Sequence, residues 1–336
     1  MSSNISILGA GSWGIANACL LTENGHAVTM WEFDPAELKR LLTERQHTQK
    51  LPGILIPESI KITGELSEAV ADAEIIVFAV PTQKIAGVCQ ELSSVPGRPD
   101  LIVNLSKGIE EKTLRRVSQI IGEEWTGIDR QNIVTLSGPS HAEEVTRKLP
   151  TSVVAAGNDV TSRRTQKIYS SEYLRVYRSA DLIGVELGGA LKNIIAIAAG
   201  IVHGLGHGDN TMGALITRGL FEINRLAVTL GAQPDTLAGL SGVGDLITTC
   251  ISRHSRNHYV GYHIGQGMTL EQVLSGMVMV AEGVTTCRSA RQLARQNDVD
   301  MPITEAVYQV LFNNVPVREA VNALMTRPLK AEVWQE

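Results

Sequence analysis

In this chain of 336 residues, the side chains able to do chemistry stand in short polar islands, and two lysines head the search. The island Glu186-Leu187-Gly188-Gly189-Ala190-Leu191-Lys192-Asn193 opens a run rich in Ala, Ile and Gly. That run reads as a helix over 188–202, apolar nearly all round and therefore buried. A buried lysine is rare unless it is paired or functional. Removing water from an ammonium lowers its pKa, and a second cation nearby lowers it further. Such a lysine can trade protons near neutral pH, as reduction of a carbonyl requires. The bland alternative is a structural Lys192 paired with Glu186.

The second lysine, Lys107, stands in Leu105-Ser106-Lys107-Gly108 at the carboxyl end of a strand, the edge where open α/β sheets bind ligands. Ser137-Gly138-Pro139-Ser140 ends another strand and runs into His141-Ala142-Glu143-Glu144, with Ser140 a candidate helix N-cap. Farther on come Gly242-Val243-Gly244-Asp245 and Ser255-Arg256-Asn257. The latter offers a hydroxyl, a forked cation and an amide in succession, suited to a phosphate or carboxylate; a solvated loop would read the same way. His203 and His207 are four apart, but Gly204 and Gly206 intervene and no H-E-x-x-H is present, so no metal is expected.

Gly9-Ala10-Gly11-Ser12-Trp13-Gly14 is a G-x-G-x-x-G placed directly after a strand over 5–8 and opening a helix. The first glycine permits the tight turn, the second lets backbone approach a pyrophosphate, and the third allows close helix–strand packing. The helix N-terminus then offers free N–H groups to the phosphates. Glu32 lies 18 residues after Gly14, at the end of the second strand, where an acid would bond the adenosine ribose hydroxyls. No Arg or Lys occurs in 32–35 to meet a 2′-phosphate, so the reading leans to NAD over NADP. A solvated Glu32 is the alternative.

The elements that must position these groups change character along the chain. Strand candidates cover 5–8, 27–31, 75–80, 101–105 and 133–137, with helical patterns at 15–23, 35–44 and 82–92 between them. Continuous apolar strands separated by helices require a mostly parallel sheet covered on both faces, a Rossmann-like doubly wound α/β fold. Further strands at 151–156 and 173–177 close this half. From about 181 onward helices are expected at 188–202, 211–230, 269–274, 285–296, 304–312 and 317–325. The chain thus divides into a dinucleotide-binding unit, 1–180, and an all-α substrate-binding unit, 181–336, without a Pro/Gly-rich linker.

A net charge of −5 argues against nucleic acid as partner. Cys19, Cys89, Cys250 and Cys287 are far apart, without metal-ligand or disulfide spacing. No signal peptide is seen, and the apolar stretch 194–202 is too short to span a bilayer. A reducing cytoplasm is the default.

These islands, in this order, resemble the bacterial NAD(P)-dependent glycerol-3-phosphate dehydrogenases. The likeness covers nearly the whole chain through GAGSWG at 9–14, AVPTQ at 79–83, LSKG at 105–108, SGPSHAEE at 137–144, VELGGALKN at 185–193, GDNT at 208–211, GVGD at 242–245 and SRN at 255–257. It implies reversible hydride transfer between dihydroxyacetone phosphate and sn-glycerol 3-phosphate with NAD(H), or NADP(H), feeding phospholipid synthesis. Lys192 matches the family's proton-transfer lysine, and Lys107 a lysine near substrate and cofactor. Gly138, Ser140, Asp245, Ser255, Arg256 and Asn257 match substrate-side positions, with Arg256 also near the cofactor. Gly9, Gly11 and Gly14 form the dinucleotide turn, while Ser12, Trp13, Ala142, Val280 and Glu282 match cofactor-side positions. Many relatives carry a basic residue at Phe33, and an aromatic is common at Lys50; Trp31-Glu32-Phe33-Asp34 is closer to the NAD-preferring eukaryotic enzymes. The helical half suggests a homodimer. Another two-domain hydroxy-acid or sugar-acid dehydrogenase, or a non-catalytic NAD sensor, remains open at this point.

Overall fold

A computed structural model describes residues 2–329 and 331–332, so the end of the expected C-terminal unit lies outside the described residues. Eight strands form one sheet: β1 (Asn4–Leu8), β2 (Ala27–Trp31), β3 (Lys61–Thr63), β4 (Ile75–Phe78), β5 (Leu101–Asn104), β6 (Ile133–Ser137), β7 (Thr151–Ala156) and β8 (Leu174–Ser179). Their order is β3-β2-β1-β4-β5-β6-β7-β8. Every pairing is parallel except β6 with β7. The expected mostly parallel sheet is therefore present. Strands β4, β5 and β6 are buried at every position, because helices cover both faces and leave no room for a polar alternation. Lys-Ile-Thr of β3 is too short to carry such a pattern, and the sequence reading did not include it.

Helices α1 (Ser12–Glu23), α2 (Pro35–Glu44), α3 (Leu66–Val70), α4 (Ile85–Ser93), α5 (Val117–Glu124), α6 (Ala142–Thr146) and α7 (Asp159–Tyr169) flank the sheet. One apolar cluster fills each face. Strand order reverses between β1 and β4, which opens a crevice at their carboxyl ends. Ser140 is not the cap expected of it. His141 occupies the N-cap position of α6 and caps nothing with its side chain, while the Ser140 hydroxyl donates to the Gly138 carbonyl at 3.0 Å.

After β8 the chain is helical: α8 (Leu182–Gly204), α9 (Asp209–Thr229), α10 (Asp245–Ile251), α11 (Arg256–Gly265), α12 (Leu270–Ser275), α13 (Glu282–Gln296), α14 (Pro302–Asn313) and α15 (Val317–Met325). The apolar cluster of this half surrounds α8. At 23 residues α8 is longer than the apolar stretch 194–202 taken as too short to span a bilayer. By length and composition it would cross one, but its most apolar window is wholly buried inside the protein, so its apolarity is that of a core element. Helices α10 and α11 were not among the expected helices, and α11 contains Gly261 and Gly265. Here those glycines let α11 lie directly on α8: a Cβ on Gly261 would sit 2.9 Å from the Ile201 nitrogen, and one on Gly265 3.0 Å from the Gly204 Cα. Ser255, placed by sequence in a possible solvated loop, caps α11 by accepting the His258 N–H at 3.1 Å.

Candidate active site

Helix α8 carries Lys192 into the junction between sheet and helical half, where the residue is only 5% exposed. Its Nζ donates to Asp245 Oδ1 at 2.5 Å and to the Thr249 hydroxyl at 2.6 Å. Lys107, beyond the carboxyl end of β5, donates to Asp245 Oδ2 at 2.8 Å and to the Gly138 carbonyl at 3.0 Å. Two ammonium groups thus share one carboxylate that is 2% exposed. The alternative pairing of Lys192 with Glu186 does not occur. Glu186 instead takes Arg116 at 2.5 Å, the Ser118 N–H at 2.8 Å and the Thr135 hydroxyl at 3.2 Å.

The approach of these three groups depends on two missing side chains. A Cβ on Gly188 would meet the Ser241 carbonyl at 2.7 Å, and one on Gly189 would meet Ser137 Oγ at 2.9 Å and the Lys107 stem at 3.5 Å. Gly188 therefore admits the wide π-helical turn Leu240–Gly244, which delivers Asp245, and Gly189 admits Lys107. Such wide turns are frequent at functional sites.

Burial and proximity set the protonation of the cluster. Burial pulls the Lys192 ammonium down, Asp245 opposes this and Lys107 adds to it, leaving a pKa of about 8. Burial alone would raise Asp245, but the two ammonium groups outweigh it and hold the carboxyl below its usual range. An amine poised near neutrality beside a fixed carboxylate can give or take a proton at a reacting oxygen.

Asn193 joins this cluster to the helices beyond. Its Nδ2 donates to the Lys107 carbonyl at 3.1 Å, and its Oδ1 accepts from Asn257 at 2.9 Å. Asn257 Oδ1 in turn accepts the Gly283 N–H at 2.9 Å. The three side chains of Ser255-Arg256-Asn257 consequently diverge: Asn257 turns inward, Ser255 caps the helix, and Arg256 donates to the Val280 carbonyl at 2.9 Å. Glu282, two residues on, accepts the Thr82 N–H at 2.8 Å and so ties α13 to the segment after β4. Thr249 and Asn193 were missed as site residues, although Thr249 is one helical turn past Asp245 and that spacing was readable. His141 was also passed over. It lies between Ser140 and Ala142, its Nε2 is buried without a partner, and its ring is 5.7 Å from that of His254.

The glycine turn fits a dinucleotide. A Cβ on Gly9, at φ 108°, would strike the Ala79 carbonyl at 2.8 Å, whereas one on Gly11 would meet nothing within 4 Å. No side chain caps the first turn of α1, which leaves its N–H groups for an anion. Ser12 directs its hydroxyl toward the Met279 sulfur at 3.9 Å, Trp13 is half-buried and Ala142 buried. Glu32 is 4% exposed rather than solvated. Burial raises its pKa, against the N–H groups of Asp34 and Ala10 and the charge of Lys50. Phe33 beside it is 67% exposed. Among the described residues no group of three or more His, Cys, Asp or Glu could hold a metal ion.

Comparison with known proteins agrees with this geometry. Residues 4–162 match the family described as NAD-dependent glycerol-3-phosphate dehydrogenase N-terminus, and residues 181–322 the corresponding C-terminus. The glycerol-3-phosphate dehydrogenase [NAD(P)+] of Chlorobium limicola is 47% identical over 98% of this chain and 100% of its own length. That of Fusobacterium nucleatum is 48% identical, covering 98% of each chain. The crystal structure of glycerol-3-phosphate dehydrogenase from Coxiella burnetii superposes with a TM-score of 0.93 at 33% identity, over 97% of this chain and 99% of that one. With the glycine turn, the lysine pair sharing Asp245 and both halves matched, the chain belongs to the NAD-dependent glycerol-3-phosphate dehydrogenase family.

Proposed function

We propose that this chain reversibly reduces dihydroxyacetone phosphate to sn-glycerol 3-phosphate, supplying the latter for phospholipid synthesis, with Lys192 as proton donor and acceptor. The observation that carries this reading is the buried carboxylate of Asp245 held between the ammonium groups of Lys192 and Lys107. Relatives named for this activity cover essentially the whole chain. NAD(P)H, when bound, supplies the hydride. Gly9, Gly11, Ser12, Trp13 and Gly14 would hold its pyrophosphate end, Glu32 and Phe33 its adenosine, and Ala142, Val280 and Glu282 its far end.

Lys192 gives its proton to the oxygen of the ketone as that oxygen gains negative charge, and in the oxidative direction takes it back. Lys107 places a second positive charge beside the same oxygen, stabilising charge as it develops, and holds the Lys192 ammonium acidic. Asp245 fixes both amines in place. Gly138, Ser140 and Ser255 line the substrate side, Asn257 braces that wall through Asn193, and Arg256 supplies a fork for the phosphate. Anchoring the phosphate orients the carbonyl, which lowers the entropic cost of reaction. The same reading takes the chain as a cytoplasmic homodimer, divided near residue 180 into dinucleotide-binding and substrate-binding units.

The test is oxidation of NADH by dihydroxyacetone phosphate, compared with dihydroxyacetone lacking the phosphate. Native protein should turn over only the phosphorylated ketone efficiently, and Lys192→Ala should lower turnover by about two or more orders of magnitude while binding NADH nearly as before. Equal use of both ketones, or undiminished turnover by the variant, would refute the reading.

A further inference from the structure

A short way along the chain from Lys107, the two halves enclose a second cleft of about 890 Å³, lined by none of the residues assigned above to substrate or cofactor. Its volume falls in the range of small-molecule sites, roughly 300–1,000 Å³. One wall is the segment after β5, and the other is a face of α13 together with α14. Cys287, Ala290 and Ala294 turn α13 toward the core. The arginines at 288, 291 and 295, spaced three and four apart, therefore fall together on the flank beside it. Lys112 joins them from the segment after β5.

Two of these arginines are held in place before any ligand arrives. The Arg288 guanidinium lies 4.1 Å from the centre of the Phe312 ring, and that of Arg291 lies 3.8 Å from the centre of Tyr308. Stacking fixes their planes while leaving N–H groups for other partners. Arg291 also donates to Glu305 twice, at 2.6 and 3.0 Å. Arg295 lies 3.7 Å from the same carboxylate, which Arg291 already engages. Arg288 pairs with Glu111 at 2.9 Å, but both side chains are exposed, and so open a pair adds little that a more highly charged anion could not replace. Glu110 is held by Arg115 at 2.8 Å. Lys112 is exposed and makes no ion pair or hydrogen bond among the described residues. Four cations thus line the cleft against two carboxylates, in a chain of net charge −5, and each of those carboxylates is claimed by an arginine.

We propose that this cleft is a second anion site, which takes a small molecule bearing several phosphate charges and clamps it between Lys112 of one half and Arg288 and Arg295 of the other. The guanidinium fork suits phosphate oxygens, and cations on two walls suit a ligand with more than one charged group. The floor of the cleft is firm. Gln83 donates to the Ile109 carbonyl at 2.9 Å and accepts the Glu111 N–H at 3.0 Å, while the Ser289 hydroxyl donates to the Ile109 carbonyl at 3.2 Å. The same stretch runs back to Lys107, so an occupant bears on the support of that lysine without touching the substrate.

The test uses the full chain and inorganic tripolyphosphate in a calorimetric titration. Native protein should bind tripolyphosphate at least about tenfold more tightly than orthophosphate, and the binding should weaken as salt is raised. The double variant Lys112→Ala/Arg295→Ala, changed at two exposed side chains, should weaken tripolyphosphate by about tenfold or more. Lys112→Arg/Arg295→Lys keeps both charges and should stay within about threefold of native, which separates charge from folding. Arg256→Ala, in the crevice, should leave this binding within about twofold of native. No binding by native protein, equal binding of the two anions, an undiminished affinity in the double alanine variant, or a larger loss in Arg256→Ala than in that variant overturns the proposal.

Discussion

Replacing Asp245 with Asn keeps the shape of the residue and removes the one negative charge between the buried Lys192 ammonium and the half-buried Lys107 ammonium. The Lys192 amine lies 2.5 Å from that carboxylate, and a hydrogen bond to a charged group contributes about 1.5–3 kcal/mol. At about 1.4 kcal/mol for each pKa unit, losing it moves Lys192 down by about one to two units. The starting value is about 8, so the variant should titrate at about 6 to 7. Reduction needs the protonated amine, which makes the rate of ketone reduction fall as pH rises through that pKa. In Asp245→Asn the fall should begin correspondingly earlier, and at pH near 8 protonation alone costs about five- to fiftyfold in turnover. Oxidation of glycerol 3-phosphate needs the free amine, so its rising limb should move to lower pH by the same interval. The assay is kcat against pH in both directions with saturating cofactor and substrate. Leaving two cations without their counter-ion also costs stability, by about 3–5 kcal/mol, and pairing the change with Lys107→Met should recover part of both losses. A limb that stays at about 8, or moves upward, would show that Asp245 does not set the proton affinity of Lys192.

Two further outcomes follow from the packing. Gly188→Ala places a methyl group 2.7 Å from the Ser241 carbonyl; overpacking of this kind costs about 1–3 kcal/mol. It should lower kcat far more than NADH affinity, measured by denaturant unfolding and NADH titration side by side. Glu222, 1% exposed, accepts the N–H groups of Ile303 and Thr304 at the start of α14, and burial raises its pKa to about 7. Its folded pKa lies above the unfolded value, so its favourable contribution is complete below about pH 4.5 and disappears as pH rises through about 7. Glu222→Gln should flatten the slope of Tm against pH across that window, and an unchanged slope would count against the assignment.

The sequence was most legible where one physical pattern dominates. Strands β2, β6 and β7 and helices α2 and α15 fall on their expected limits, because continuous β-branched runs, a proline start and an amphipathic period each leave one reading. The same signals made Lys192 conspicuous, since a charge inside an apolar helix needs an explanation. What escaped was set by contact rather than by local pattern. Helix α11 is rich in His, Tyr and Gly, and its glycines mean helix only because α8 lies against them. Ser140 has cap chemistry but faces the Gly138 carbonyl instead. Glu32 and Glu186 are both acids in apolar surroundings, yet one meets backbone N–H groups and the other Arg116, and nothing in the local sequence distinguishes them.

The acidity of Lys192 is therefore a property of the backbone around α8 as much as of the lysine. A buried amine with no counter-charge would lose its proton, and one in an ordinary ion pair would keep it to high pH. The intermediate state requires one carboxylate and a second ammonium within a few ångströms, on different sides of a helix that core side chains would otherwise surround. Gly188 opens one side to the turn carrying Asp245, and Gly189 opens another to the stem of Lys107. About two turns beyond Lys192, Gly200 and Gly261 bring α11 against the same helix, so that Asn257 reaches Asn193 and Arg256 reaches the segment before α13. Gly188 and Gly189 each admit one charged partner, and Gly200 admits the backbone of α11. Two glycines of an otherwise greasy helix thus decide which groups stand next to its lysine, and a methyl group at Gly188 or Gly189 changes the distances on which its chemistry depends.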